Sequence, residues 1–155
     1  TADQRERLSR RIREIELDLL PKRARSYPGT ADVLEEIRSR GAVFAVCSNA
    51  SENYIATVLE AISLRHYFPH IRGAEEGRKK EDLAREFVAE LAPSSSPKAA
   101  LVGDSGSDRR SAEEAGSPFI AAMYGYGIDS IDSCDRRIED IGELPEALIM
   151  LGVLE

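Results

Sequence analysis

Two short apolar runs constrain the fold of this chain more than any other feature. They are residues 42–47 (Ala-Val-Phe-Ala-Val-Cys) and residues 99–102 (Ala-Ala-Leu-Val). Both are continuous rather than alternating, so both faces must be covered, as in a strand of a parallel sheet with helices above and below. Each run ends in a polar cluster, Ser48-Asn49-Ala50 after the first and Gly103-Asp104-Ser105-Gly106-Ser107-Asp108 after the second. A third run, Phe119 to Met123, reads the same way. Stretches of helical periodicity separate the three, and strands alternating with helices imply a parallel α/β sheet with right-handed crossovers. Ligands of such sheets bind at the carboxyl ends of the strands, where both polar clusters lie.

The helical stretches can be read from spacing. Leu8, Ile12, Ile15 and Leu19 predict a helix over residues 1–20, ended by Pro21. Tyr27-Pro28-Gly29-Thr30 is a turn, with Thr30 or Asp32 capping a helix through Val33, Leu34 and Ile37 that Gly41 ends. A capping-box pattern from Ser51 opens a helix near residues 51–62, lined by Tyr54, Ile55, Val58 and Leu59. The stretch from His66 to Gly73 is irregular, with room for a short strand. Residues 79–91 form a helix with Leu83, Phe87, Val88 and Leu91 on one side, and residues 93–97 form a loop. A helix begins by Arg109 and closes at Gly116, and residues 143–151 form the last helix.

Length and charge narrow the function classes. One domain fits 155 residues. The net charge of -7 argues against nucleic acid and anionic membranes as partners. No apolar stretch reaches the roughly 18 residues of a membrane span. Cys47 and Cys134 do not make a disulfide framework, so a cytoplasmic protein is expected.

Three features could carry chemistry, and each has a structural alternative. Asp104 and Asp108 flank a Gly/Ser-rich turn and could hold a hard cation such as Mg2+. Equally, Asp104 could make the turn and Asp108 cap the helix. Gly103-Asp104-Ser105-Gly106 also resembles the nucleophile loop of trypsin-like proteases. That reading is rejected, because the context is strand–helix and the only histidines, His66 and His70, share one aromatic loop. Ser48 and Asn49, at a strand end before a helix, make an anion site or simply a helix start. Lys79 and Lys80 open a helix against its dipole, which suits either a role or a solvated charge run.

In order and spacing these features resemble the haloacid dehalogenase (HAD) superfamily, and most of all its phosphoglycolate-phosphatase-like branch. The resemblance runs from about Tyr27 to the C-terminus. It is carried by Tyr27-Pro28-Gly29, by Val46-Cys47-Ser48-Asn49, by Lys80-Glu81-Asp82-Leu83, and by Leu101-Val102-Gly103-Asp104-Ser105 with Asp108. Ala112, Ala115-Gly116 and Tyr124-Gly125-Tyr126-Gly127 complete it. The resemblance implies a Rossmann-like three-layer HAD-like core and a Mg2+-dependent hydrolase of phosphate monoesters. By the same resemblance Ser48 and Asn49 hold the phosphoryl group, Lys80 neutralises phosphate and nucleophile, and Asp104 and Asp108 position the metal. The substrate implied is a small phosphorylated metabolite.

One departure is large. The superfamily's first motif is an Asp-x-Asp sequence on the first strand, and no such strand occurs here. Asp18 and Asp32 lie in helical contexts, and Asp129 and Asp132 follow no apolar run. The expectation is therefore a core (residues 23–155) lacking its first strand, preceded by a remnant cap helix (residues 1–22) with most of the cap missing. The chain would be the C-terminal part of a longer enzyme, inactive on its own, completed by a second chain that supplies the strand, or a homodimer. A gap should then separate the strands at 42–47 and 99–102, whereas direct pairing would mean a closed-up fold. Two other readings stand beside this one. A non-catalytic module could keep a phosphate and metal pocket. A phosphate-accepting receiver domain also uses an acidic Mg2+ site, but its order of motifs does not match Lys80 before Gly103-Asp104.

Overall fold

The computed structural model describes residues 2–73, 78–93 and 99–155. In chain order the elements are α1 (Ala2–Arg23), α2 (Thr30–Ser39), β1 (Ala45–Cys47), α3 (Glu52–Ala61), β2 (His70–Arg72), α4 (Lys80–Leu91), β3 (Leu101–Gly103), α5 (Gly106–Ala115), β4 (Phe119–Ala122), β5 (Arg136–Ile138) and α6 (Leu144–Met150). Single 3-10 turns precede β2, β5 and α6.

The strands form two parallel sheets rather than one. β1 pairs with β2, with Val46 opposite Ile71, and β3, β4 and β5 pair in that order, with Val102 opposite Ile120 and Ala121 opposite Arg137. Among the described residues no ladder joins β1 to β3, so the direct pairing of a closed-up fold does not occur and the sheet is interrupted between these two strands.

β4 shows what a complete neighbourhood looks like. All four of its residues are buried, and they alternate between two faces. Ile120 and Ala122 pack with Val33 and Ile37 of α2 and with Leu144, Ala147 and Leu148 of α6. Phe119 and Ala121 pack with Ala112 of α5. Helices cover both faces, giving the three layers expected of the fold. Beside the gap, burial fails. Ala45 and Val102 are exposed (Val102 by 42%), and Val43 just before β1 is 62% exposed.

Two features hold the halves together on one face. Residue Phe44 packs against the cluster of β4 and β5 and also against that of β1, β2 and α3. α2 does the same from a single helix, with Val33 and Ile37 in the first cluster and Leu34 in the second.

Several local expectations need correction. α1 runs on through Pro21 to Arg23, because the proline removes one amide hydrogen in the last turn without stopping the helix there. Neither Thr30 nor Asp32 caps α2. Gly29 occupies that position in a left-handed conformation (φ 76°), and the Thr30 hydroxyl instead donates to Tyr27 O at 2.7 Å. β1 and β3 are three residues each, shorter than the apolar runs 42–47 and 99–102. The short strand suspected in 66–73 is β2. β5, Arg-Arg-Ile, was not foreseen: it is an edge strand with only Ile138 buried, so its sequence shows no apolar run. Of the expected 93–97 loop, residues 94–97 lie outside the described residues.

α1 meets the rest of the chain at α3. Its half-buried residues are Leu17 and Leu20, while Leu8, Ile12, Ile15 and Leu19 remain 43–62% exposed.

Candidate active site

The site is built at the carboxyl ends of β1 and β3, on either side of the gap. Gly103 ends β3, and a Cβ added to it would overlap the Asp108 side chain, so only glycine lets the two approach. Ser105 then caps α5. Its hydroxyl accepts from the Asp108 amide at 3.4 Å, while Asp108 Oδ2 accepts from the Ser105 amide at 3.0 Å, a reciprocal capping box. Asp108 is thus the third residue of the box rather than the cap. Its Oδ2 also accepts from the Ser105 hydroxyl at 2.6 Å and from the Asp104 amide at 3.2 Å.

The other carboxylate oxygen, Asp108 Oδ1, accepts from Lys80 Nζ in a short charged contact. Lys80 is the first residue of α4, so this contact straps α4 to α5. Only 14% of the Lys80 side chain and 12% of the Asp108 side chain are exposed. Burial alone would raise the Asp108 pKa. The hydrogen bonds from Lys80 and Ser105 outweigh it and hold the carboxyl below the ordinary aspartate value. The structure also separates the two lysines: Lys80 turns inward, and Lys79 is exposed beside Glu81, Asp82 and Arg110.

Asp104 is held by a loop from elsewhere in the chain. Its Oδ2 accepts from the amides of Tyr126 at 2.7 Å and Gly127 at 3.3 Å. Gly125 makes this possible, because a Cβ there would overlap the Asp104 side chain. Ser130 locks the loop to α5: its hydroxyl accepts from the Gly106 amide at 2.8 Å and donates to Gly127 O at 2.6 Å. The Tyr-Gly-Tyr-Gly stretch was legible in the sequence, but its contact with Asp104 was not, and nothing marked Ser130.

On the β1 side, the Ser48 amide extends the ladder by donating to Arg72 O at 3.1 Å, and its hydroxyl accepts from the Ala50 amide at 3.1 Å. Asn49 is exposed next to it. Cys47 precedes them, half-buried, and burial pushes its thiol pKa up despite nearby Lys80. The sequence analysis did not single out that thiol.

Several of the residues set aside earlier are engaged elsewhere. Asp18 pairs with Lys22 on the surface of α1, and Asp132 pairs with Arg109 at 2.7 Å. His66 lies against the Tyr67 ring, and His70 is edge-on to Phe87. Ser105 has carboxylate and serine partners rather than a histidine.

A family model described as haloacid dehalogenase-like hydrolase matches residues 1–122, which include all five candidate residues. The chain belongs to the haloacid dehalogenase-like hydrolase family. It is 27% identical over 154 residues to a phosphoglycolate phosphatase of Caulobacter vibrioides, covering 97% of this chain and 65% of that one. It is 31% identical over 111 residues to the phosphoglycolate phosphatase of Mesorhizobium japonicum, covering 70% and 49%. A crystal structure of a HAD-superfamily hydrolase from Geobacter sulfurreducens superposes with a TM-score of 0.65 at 28% identity, over 79% of this chain and 55% of that one. This HAD-family chain therefore spans less than two-thirds of the length of each of these relatives. No helix among the described residues is long and apolar enough to cross a membrane.

Proposed function

We propose that this chain carries the phosphate-binding and metal-binding side of a phosphate-monoester hydrolase acting on a small phosphorylated metabolite, in the cytoplasm. The observation that carries the reading is the convergence of Lys80, Asp108 and Asp104 at the carboxyl end of β3, with Ser48 at the same end of β1. Phosphoryl transfer needs positioning and charge neutralisation above all, and a buried lysine beside two carboxylates is suited to both.

The residues fit a hard divalent cation. Both candidate ligands are carboxylates, and Asp104 uses only Oδ2 in hydrogen bonds, which leaves Oδ1 to a cation. Carboxylate ligands suit Mg2+, which keeps several waters and takes one or two carboxylates plus phosphate oxygens. Asp104 would hold it through Oδ1, Asp108 would join by giving up its contact with Lys80, and when bound the cation would neutralise phosphate charge. Lys80 would add a second positive charge. The Ser48 hydroxyl accepts from Ala50 and keeps its own proton to donate to a phosphoryl oxygen, beside the exposed Asn49 amide.

An attacking carboxylate is the missing part. Asp108 has both oxygens engaged, by Lys80, Ser105 and the Asp104 amide, and the remaining oxygen of Asp104 is the one assigned to the cation. We assign the nucleophile to a strand seated between β1 and β3, supplied by another polypeptide segment, and expect the 155 residues alone to turn over negligible substrate. The alternative, a non-catalytic binding module, differs only in a strand that lacks the aspartate.

The test uses the chain itself, with p-nitrophenyl phosphate for turnover and thermal shift with Mg2+ and inorganic phosphate for binding. Stabilisation by both, without turnover, is the expected result. Appreciable Mg2+-dependent turnover would overturn the assignment of the nucleophile. Absence of any shift, or an unchanged shift in Lys80→Met, would overturn the site.

A further inference from the structure

Tyr27 joins two parts of the chain that lie 97 positions apart, and both ends of the residue are anchored. Its carbonyl oxygen accepts from the Thr30 amide at 3.3 Å and from the Thr30 hydroxyl at 2.7 Å, which fixes its backbone to the first turn of α2. Its own hydroxyl donates to Tyr124 O at 3.2 Å. Its ring meets the Tyr124 ring edge-on, with centroids 4.8 Å apart and planes at 68°. Tyr124 in turn packs against the buried cluster formed by α2, β4, β5 and α6.

The Tyr27 hydroxyl lands on the peptide unit next to the one that holds Asp104. Tyr124 O and the Gly125 amide belong to one planar peptide. Tyr27 holds this plane at its oxygen, and Ala122 O holds it at its nitrogen, accepting from the Gly125 amide at 3.1 Å. The following peptide carries the Tyr126 amide, which donates to Asp104 Oδ2 at 2.7 Å, and the one after that carries the Gly127 amide, which donates to the same oxygen at 3.3 Å. Gly125 is the joint between the held plane and the donating one. A Cβ there would overlap the Asp104 side chain, and a residue without a Cβ is the loosest of backbone joints. The close approach that the cradle needs therefore removes stiffness from the loop, and a clamp on the preceding plane restores it.

We propose that Tyr27 is a positioning residue for Asp104: its hydroxyl clamps the loop from Tyr124 to Gly127 so that backbone amides hold Asp104 Oδ2 and Oδ1 is left to the cation. The inference rests on the reading of Asp104 as a cation ligand. Tyr27 acts through the loop, and it lies in the segment that joins α1 to α2. The coupling is reciprocal. A cation that steadies the loop also steadies Tyr27 and the residues beside it.

Tyr27→Phe is the test, because it keeps the ring that meets Tyr124 and deletes only the hydroxyl. Hydrogen exchange in the metal-free chain should show the Tyr126 and Gly127 amides exchanging several-fold faster in this variant, with the amides of β4 unchanged. Mg2+ titration followed by thermal shift should give a several-fold weaker apparent affinity at the same metal-free Tm. Thr30→Ala, which removes a contact at the other end of Tyr27, should weaken Mg2+ in the same direction, and Thr30→Ser should retain it. Saturating Mg2+ should slow exchange at the Ser26 and Tyr27 amides of the parent chain and leave it unchanged in Tyr27→Phe. A parent chain that Mg2+ does not stabilise overturns the cation site and this role with it. A parent that Mg2+ stabilises, with equal loop exchange or equal affinity in Tyr27→Phe, overturns the role of Tyr27 and leaves the cation site standing. A weaker affinity matched by a lower metal-free Tm and faster exchange throughout β4 also overturns it, by assigning Tyr27 to the fold as a whole.

Discussion

Lys80 and Asp108, each in the first turn of its helix, close a buried ion pair that ties α4 to α5 at the carboxyl end of β3. Its position decides what either residue does alone. Removing Lys80 leaves a mostly buried carboxylate with only Ser105 and backbone amides for partners. Lys80→Met should therefore destabilise the chain by about 1–3 kcal/mol, the cost of stranding a hydrogen-bonded charge. At this chain length each kcal/mol corresponds to roughly 2–4 °C in Tm. Asp108→Asn should cost a comparable amount. The double variant should cost less than the sum, which a double-mutant cycle in urea measures.

The same pair makes stability depend on acid. The folded Asp108 carboxyl sits below its unfolded value of about 3.9. Its contribution is complete above that value and is lost as pH falls through the lower, folded value. Urea midpoints measured between pH 2.5 and 6 should fall steeply below about pH 4 in the parent chain. In Asp108→Asn this component should be missing, leaving a shallower slope.

The cradle around Asp104 predicts an effect on metal more than on fold. Gly125→Ala forces the Tyr126 and Gly127 amides away from Asp104 Oδ2. Ser130→Ala removes the hydroxyl that joins this loop to the Gly106 amide. Each should lower the thermal shift produced by Mg2+, Gly125→Ala to near zero and Ser130→Ala partway, with Ser130→Thr retaining it. Equal Mg2+ shifts in all four proteins would remove the carboxylate of Asp104 from the site.

Burial of Cys47 predicts a sluggish thiol. Because burial raises its pKa, less thiolate is present at neutral pH than in the unfolded chain. Alkylation of Cys47 by iodoacetamide at pH 8, followed by peptide mass spectrometry, should accelerate severalfold on adding urea.

The two apolar runs beside the gap should differ sharply from β4 in what they tolerate. Ile120 is fully buried, so Ile120→Ala should cost about 2–5 kcal/mol. Val102→Thr, on a 42% exposed residue, should change stability by about 0.5 kcal/mol or less. Hydrogen exchange should show the amides of β4 protected and the unpaired edges of β1 and β3 open.

Most of the frame could be read before the structure, because continuous apolar runs and helical spacing report burial directly. The gap was legible for a different reason: the resemblance required a strand where no apolar run exists. What escaped was long-range. β5 carries two arginines and one buried isoleucine, so its strand character comes from pairing with β4 and not from its own residues. The hold of Tyr126 and Gly127 on Asp104 joins positions 22 and 23 apart through backbone amides, which leave no mark on residue type. Lys79 and Lys80 were equivalent by spacing, and only the packing of α4 on α5 separates them.

Phe44 and α2 span both halves of the divided sheet on one face, and the Lys80–Asp108 pair reaches across from the other. The molecule is thus bound like a book along α2, with Ser48 written on one leaf and Asp104 on the other. On the proposed reading, how wide the book stands open sets the span between the two, and that span is the dimension a phosphate would have to fit. A segment seated between β1 and β3, as proposed, would be a gauge block for the site as well as a part of the sheet.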